Sequence, residues 1–290
     1  MSVAAHESCA RMQAIGRHLK TSGCLAEAAD MYRQCLEFYS DNHDVLYEYA
    51  EILLQLEHAE EAAEFFRRAL AQSYGDPATV IMLAMALQRN QKSLEALHYY
   101  RYAQRLTPHL GAVHLMAGVT SSDCGFRDEG RRAFLRALEV APEYLAARLC
   151  SCMMHLDMPD SYVDLERKRG AYTAALGDLV AHTRLDSEDG IRNGVEAAGL
   201  MTPFFLAYQG GKDLNLQKVY GEWLTRVMKA AYPDYQSAVY YPKSGEKIRV
   251  GFVSAHFRDH SVWKILTRGW MKHLDRNRFE ILGYYVDTKH

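Results

Sequence analysis

Lys247-Ile-Arg-Val-Gly-Phe-Val-Ser-Ala-His256-Phe-Arg-Asp-His260-Ser-Val-Trp-Lys264, running on to Phe279-Glu-Ile-Leu-Gly-Tyr-Tyr-Val286, is the stretch whose reading decides the C-terminal fold. A β-branched apolar run from Ile248 to Val253 ends in small and polar residues. An amphipathic run follows from Val262 to Leu274, and a second apolar run closes the pattern. That order predicts strand, helix and parallel strand. One such βαβ unit covers a single face of its sheet with one helix, whereas parallel sheets are stable when both faces are covered. The expectation is a helical front part joined to the incomplete opening of an α/β domain over residues 246–290.

Composition bounds the rest. With 290 residues and 49% hydrophobic content the chain has room for two domains and a buried core. A formal charge of -2 gives no general attraction to nucleic acid or anionic membrane, so neither is an expected partner. The N-terminus lacks a basic region followed by an apolar core, and the longest apolar run, Ala78 to Leu87, is too short to span a bilayer, so cytoplasmic residence is expected. Cys9, Cys24, Cys35, Cys124, Cys150 and Cys152 form no CxxC pair and have no His at zinc spacing, which favours reduced structural thiols.

Upstream, the sequence repeats itself every 34 residues: Ala28, Ala62, Ala96 and Gly130, then Tyr32, Phe66, Tyr100 and Phe134, then Cys35, Ala69, Ala103 and Ala137. A small residue, an aromatic four later and a small residue three after that share one helix face, so a neighbouring helix can approach while the ring fills the gap. Gly16, Ala50, Ala84 and Gly118 supply the small residues of the paired helix. Ser40, Tyr74, Pro108 and Pro142 mark where the second helices end. This pattern resembles the tetratricopeptide repeat. It implies four repeats and an extra first helix from Leu145 to His155, a domain over residues 9–155, and a binding wall built from the first helices. On that wall stand Glu48, Glu51 and Gln55, then Ile81, Met82, Met85 and Gln88, then Met116, Val119 and Asp123. Glu48, Met82, Met85 and Met116 are the candidate groove residues. Methionines at helical spacing are more often core, and the packing reading has the edge; exposed, they would make a soft apolar groove for protein or peptide.

Residues 156–245 read as a helical linker. An amphipathic helix is expected from Asp160 to Thr183, a loop from Asp186 to Gly199, a short buried segment from Pro203 to Tyr208, and a helix from Asp213 to Tyr232 docked by Leu216, Val219, Tyr220, Trp223, Leu224 and Val227. The proline-interrupted stretch Tyr240 to Glu246 is the expected boundary.

The strand from Ile248 delivers Ser254 to Ser261 to the carboxyl edge of the sheet, where open α/β sheets bind ligands. Asp259 or Ser261 is placed to cap the following helix. The chain has no GxGxxG and no GxxxxGK[ST], and a zinc site from His256 and His260 has no third ligand in sight. Spacing alone favours His260 as a polar residue closing the helix entry over a titrating group aimed into a cleft.

Ile248-Arg-Val-Gly-Phe-Val-Ser, Phe257-Arg-Asp-His260-Ser, Trp263-Lys264, Gly269-Trp270, Leu274-Asp275, Arg278-Phe279-Glu280 and Gly283-Tyr284 together resemble the start of the catalytic region of O-GlcNAc transferases, in the bacterial SPINDLY-type branch. Pro203-Phe-Phe-Leu-Ala-Tyr-Gln-Gly, Leu216-Gln217, Tyr220-Gly221 and Ala231-Tyr-Pro233 resemble that branch's linker. The resemblance implies a mostly α chain: a tetratricopeptide solenoid that recruits protein acceptors, then the first βαβ unit of a two-lobed GT-B glycosyltransferase. It implies inverting, metal-independent sugar transfer to Ser or Thr, with no tightly bound cofactor and a nucleotide-sugar donor, UDP-GlcNAc or GDP-fucose. The family's active-site histidine falls on His260. The asparagine ladder of those solenoids is replaced here by Ala14, Glu48, Met82 and Met116. The family's nucleotide pocket lies largely in the second lobe, so residues 1–290 are expected to be inactive by themselves. The competing expectation is a repeat scaffold that binds protein without turnover.

Overall fold

This computed structural model describes residues 3–235 and 245–286, with side chains from residue 8 onward. The chain divides into two compact units, residues 1–233 and 234–290.

The first unit opens with four helix pairs: α1 (Val3–Thr21) with α2 (Leu25–Phe38), α3 (His43–Gln55) with α4 (Ala59–Gln72), α5 (Pro77–Arg89) with α6 (Ser93–Leu106), and α7 (Gly111–Asp123) with α8 (Arg127–Val140). Each second helix stops just before the predicted breaker. Local chemistry repeats with the 34-residue step. Asn42 and Asp76 cap α3 and α5 by accepting the Val45 and Thr79 N–H groups at 3.0 and 2.7 Å, and Pro77 occupies a first-turn position where its missing N–H costs nothing. Between the helices of each pair, one residue turns left-handed: Gly23 (φ 80°), Glu57 (63°), Gln91 (60°) and Gly125 (85°). Glycine adopts this freely. Glu57 and Gln91 hold it against roughly 1–2 kcal/mol of steric cost.

The aromatic of each repeat is buried: Tyr32, Phe66, Tyr100 and Phe134. Their rings fill the space left by the small residues of the paired helix, so a Cβ on Gly16 would lie 2.6 Å from Tyr32 and one on Gly118 2.5 Å from Phe134. One core runs through the first three repeats. A second joins Leu115, Phe134 and Ala137 of the fourth repeat to the helices that follow: α9 (Leu145–Met153), α10 (Tyr162–His182), α11 (Glu188–Leu200) and α12 (Leu214–Ala231). Tyr172, Leu176, Trp223 and Val227 are its bulk, and the Trp223 indole N–H donates to the buried Thr183 hydroxyl at 2.8 Å. The linker helices thus pack as a continuation of the solenoid's interior.

Three local expectations are corrected. α11 stands where a loop was expected, because the residues that read as turn formers serve packing. Gly194 lies where a Cβ would sit 3.2 Å from both Leu185 and Val227, while Asn193 donates to the Glu143 carbonyl at 2.7 Å and accepts the Leu145 N–H at 3.2 Å. The segment Phe204–Gln209 is a 3-10 turn with three residues per turn, so Pro203, Leu206 and Gln209 point inward while Phe204, Phe205 and Tyr208 are exposed. On α12, Tyr220, Trp223 and Val227 are buried and Leu216 and Leu224 half-buried, but Val219 is exposed.

The second unit holds β1 (Ile248–Ser254), a π-helical turn (Val262–Thr267) continuing into α13 (Arg268–His273), and β2 (Phe279–Tyr285). The strands are parallel, in register from Ile248↔Phe279 to Ser254↔Tyr285. Among the described residues of this unit none is buried: Ile265 is 82% exposed and Val253 66%. The division between the units falls after Pro233, ahead of the expected boundary at Tyr240 to Glu246, of which residues 240–244 lie outside the described residues.

Candidate functional site

Two places carry the side chains singled out by sequence. The first is the wall of first helices. Glu48 on α3 is half-buried and fully engaged, accepting from the Arg17 guanidinium at 2.7 Å and from the buried Tyr32 hydroxyl at 2.9 Å. Glu51, one turn on, pairs with Lys20 at 2.8 Å. The two ion pairs tie α1 to α3 and leave a cleft of about 410 Å³ lined by Arg17, His43, Asp44, Tyr47, Glu48, Glu51 and Asp76. Burial, with Glu51 and Asp76 adding, pushes the Tyr47 phenol up to about 12. His43 bridges from this cleft to the Thr79 hydroxyl at 3.0 Å.

Met82, Met85 and Met116 do not line that cleft. All three are half-buried and pack against the core of the first three repeats. The structure therefore separates the four groove candidates into a polar cleft at Glu48 and a methionine stretch beyond it. Gln88 accepts the Tyr100 hydroxyl at 3.1 Å, and burial pushes the Asp123 carboxyl up from its ordinary range. Sequence reasoning missed Arg17, Asp44, Tyr47 and Asp76. Arg17 and Tyr47 were legible as the register mates of Glu51 and Ile81; the closing of the cleft by α5's capping Asp76 was not.

The second place is the loop after β1. The Ser254 hydroxyl accepts the His256 N–H at 2.9 Å, turning the chain at the strand's end. The His256 and His260 rings stack, centroids 4.0 Å apart and 13° from parallel. The His260 Nδ1 accepts the Val262 N–H at 3.2 Å, so His260 itself closes the helix entry. Asp259 and Ser261 were the expected caps. Asp259 instead pairs with Lys264, and Ser261 makes no capping bond. Phe257 meets Trp263 edge-on at 5.6 Å. No group of three or more His, Cys, Asp or Glu that could hold a metal occurs among the described residues. The cysteines are free thiols, and burial pushes those of Cys35, Cys150 and Cys152 up to about 12.

With this geometry in hand, comparison with known proteins supports the front part. The tetratricopeptide repeat family profile matches residues 21–86. Solved structures share the solenoid fold at low identity. One described as the crystal structure of MamA is 14% identical over 58% of this chain and 94% of that one, with a TM-score of 0.53. MamA from Desulfovibrio magneticus RS-1 is 15% identical over 62% and 98%, TM-score 0.54. YrrB, described as a TPR protein with an unusual peptide-binding site, is 18% identical over 62% and 89%, TM-score 0.51. No curated protein matches the chain. The described helices include none long and apolar enough to cross a membrane.

Proposed function

Starting from a tetratricopeptide-repeat solenoid followed by a parallel strand pair, we propose that the chain serves a protein O-glycosyltransferase of the O-GlcNAc transferase and SPINDLY type. The first-helix wall recruits the protein acceptor. The segment from Ile248 opens the GT-B region that passes a sugar from UDP-GlcNAc or GDP-fucose to a Ser or Thr hydroxyl. The observation that carries this reading is the position of Phe257-Arg-Asp-His260: the motif that resembles the transferases sits directly after the carboxyl end of β1, the edge at which parallel α/β sheets hold ligands.

Recruitment by the solenoid draws support from its fold, shared with a protein whose structure is described by its peptide-binding site. His260 serves the transfer step by facing the reacting oxygens. By the resemblance, donor binding belongs largely to the second lobe of the family's GT-B fold. A second reading, a protein-binding repeat scaffold without turnover, is favoured by one observation: the family match lies wholly within the repeats.

The coding sequence beyond His290 separates the readings. Continuation into a second α/β lobe supports the transferase, and a stop codon supports the scaffold. In the protein translated from the whole reading frame, His260→Ala is expected to lower sugar incorporation at least tenfold with the helical signal intact; unchanged incorporation removes His260 from the site.

A further inference from the structure

The loop after β1 contains a histidine that neither the resemblance nor the helix entry accounts for. His256 follows the strand by two residues, and its backbone N–H is held by the Ser254 hydroxyl, which fixes where its ring emerges. That ring lies flat against His260, 4.0 Å between centroids and 13° from parallel. Its Nδ1 is buried and has no hydrogen-bond partner among the described residues. With no polar partner for that nitrogen, the stack on His260 is the contact that defines the ring's task.

The partner ring shows what that task is. His260 Nδ1 accepts the Val262 N–H, so it carries no proton in the neutral imidazole, and the proton resides on Nε2. A neutral His260 in this tautomer is a hydrogen-bond donor at its outward nitrogen. It is not placed to take a proton from a hydroxyl there. An isolated imidazole rotates about χ2 with little restraint, and the bond to Val262 alone, at 3.2 Å, is a long one. The stack holds the plane of the ring, and within that plane the Val262 N–H selects the flip that points Nδ1 at it.

We propose that His256 is a positioning residue for His260: its ring is the shelf that keeps Nδ1 turned to the Val262 N–H and Nε2–H free to donate to an electron-rich oxygen of a bound substrate. Only the identity of that oxygen rests on the transferase reading. The fixed ring stands on the geometry alone.

The test is nuclear magnetic resonance of the 290-residue chain with ¹⁵N-labelled histidine, about two units above the ordinary imidazole pKa of ~6.5 so that neutral rings are observed. Long-range ¹H–¹⁵N correlations report the tautomer, and His260→Gln assigns the signals. The wild-type chain and His256→Phe, which restores a flat ring, are expected to show His260 as the Nε2–H tautomer. His256→Ala is expected to show a mixture of both tautomers. Amide signals of Val250 to Val253 report in the same spectra whether the strand persists; should His256→Ala lose them, His256→Leu, which fills the space without a ring face, supplies the comparison. A wild-type Nδ1–H tautomer, or a ring-less variant indistinguishable from wild type, overturns the proposal. Sugar transfer does not enter the readout. Failure of the protein from the whole reading frame to transfer sugar, with His260 held as donor here, counts against the transferase reading only, and transfer by it with a mixed-tautomer His260 here counts against this inference only.

Discussion

Gly118→Ala is expected to destabilise the protein although alanine is the better helix former. In the interior of α7 the exchange gains about 1 kcal/mol from propensity. The new methyl, however, would lie 2.5 and 2.6 Å from two carbons of the Phe134 ring and 3.1 Å from the Gly130 carbonyl, where carbon contacts settle near 3.5–4.0 Å. Phe134 is 1% exposed, so the ring has no open side toward which to retreat by the missing ~1 Å. Overpacking of this kind costs about 1–3 kcal/mol, which outweighs the propensity gain and leaves a net loss of about 1 kcal/mol. Gly170→Ala is the internal control: it lies inside α10 with nothing within 4 Å of the added methyl, and it is expected to stabilise by about 1 kcal/mol. Urea unfolding followed by helical circular dichroism should place the two midpoints on opposite sides of wild type, and thermal midpoints should move about 2–4 °C each way. Stabilisation by both alanines to the same degree would mean that α7 and α8 do not approach as closely as the glycine pair at 118 and 130 indicates.

Three further outcomes follow from the same geometry. Glu57→Gly relieves a left-handed residue at the α3–α4 turn and should raise stability by up to about 1 kcal/mol, read from the urea midpoint, whereas Gly125→Ala in the matching turn should lower it. The Arg101 guanidinium, at 2.6 and 2.7 Å, holds the Glu129 carboxyl below its usual range; that stability is present above the ordinary carboxylate pKa and lost as pH falls through the lowered value. Arg101→Gln should therefore begin acid unfolding at a higher pH than wild type, and superimposable acid curves would show the pair to be idle. Met82→Glu with Met85→Glu should weaken at least tenfold the binding of a peptide selected by display on the wild-type chain while keeping the helical signal; loss of that signal would assign both methionines to the core.

The repeats were legible because their packing is local and periodic: the ring over the small residue recurs at one spacing, and Tyr32 over Gly16 and Phe134 over Gly118 are that spacing made physical. The parallel pair was legible for a similar reason, since Ile248 to Val253 and Phe279 to Tyr285 are short apolar runs separated by an amphipathic one. What escaped depended on residues distant in sequence. Gly194 and Asn193 resemble loop chemistry until Leu185, Val227, Glu143 and Leu145 are placed beside them. The cleft at Glu48 arises where helices from three repeats meet, and no single stretch encodes it. His260 closing its own helix entry was the reading that spacing alone favoured, and the stacked His256 beneath it was not foreseen because ring orientation has no sequence signature.

Incorporation of labelled sugar is the measurement closest to the central claim. The protein translated from the whole reading frame, given UDP-GlcNAc or GDP-fucose and a protein acceptor, is expected to label Ser or Thr of that acceptor, and to lose labelling both on His260→Ala and on deletion of the repeats over residues 9–155. Absence of labelling with either donor, or labelling indifferent to both changes, would contradict it.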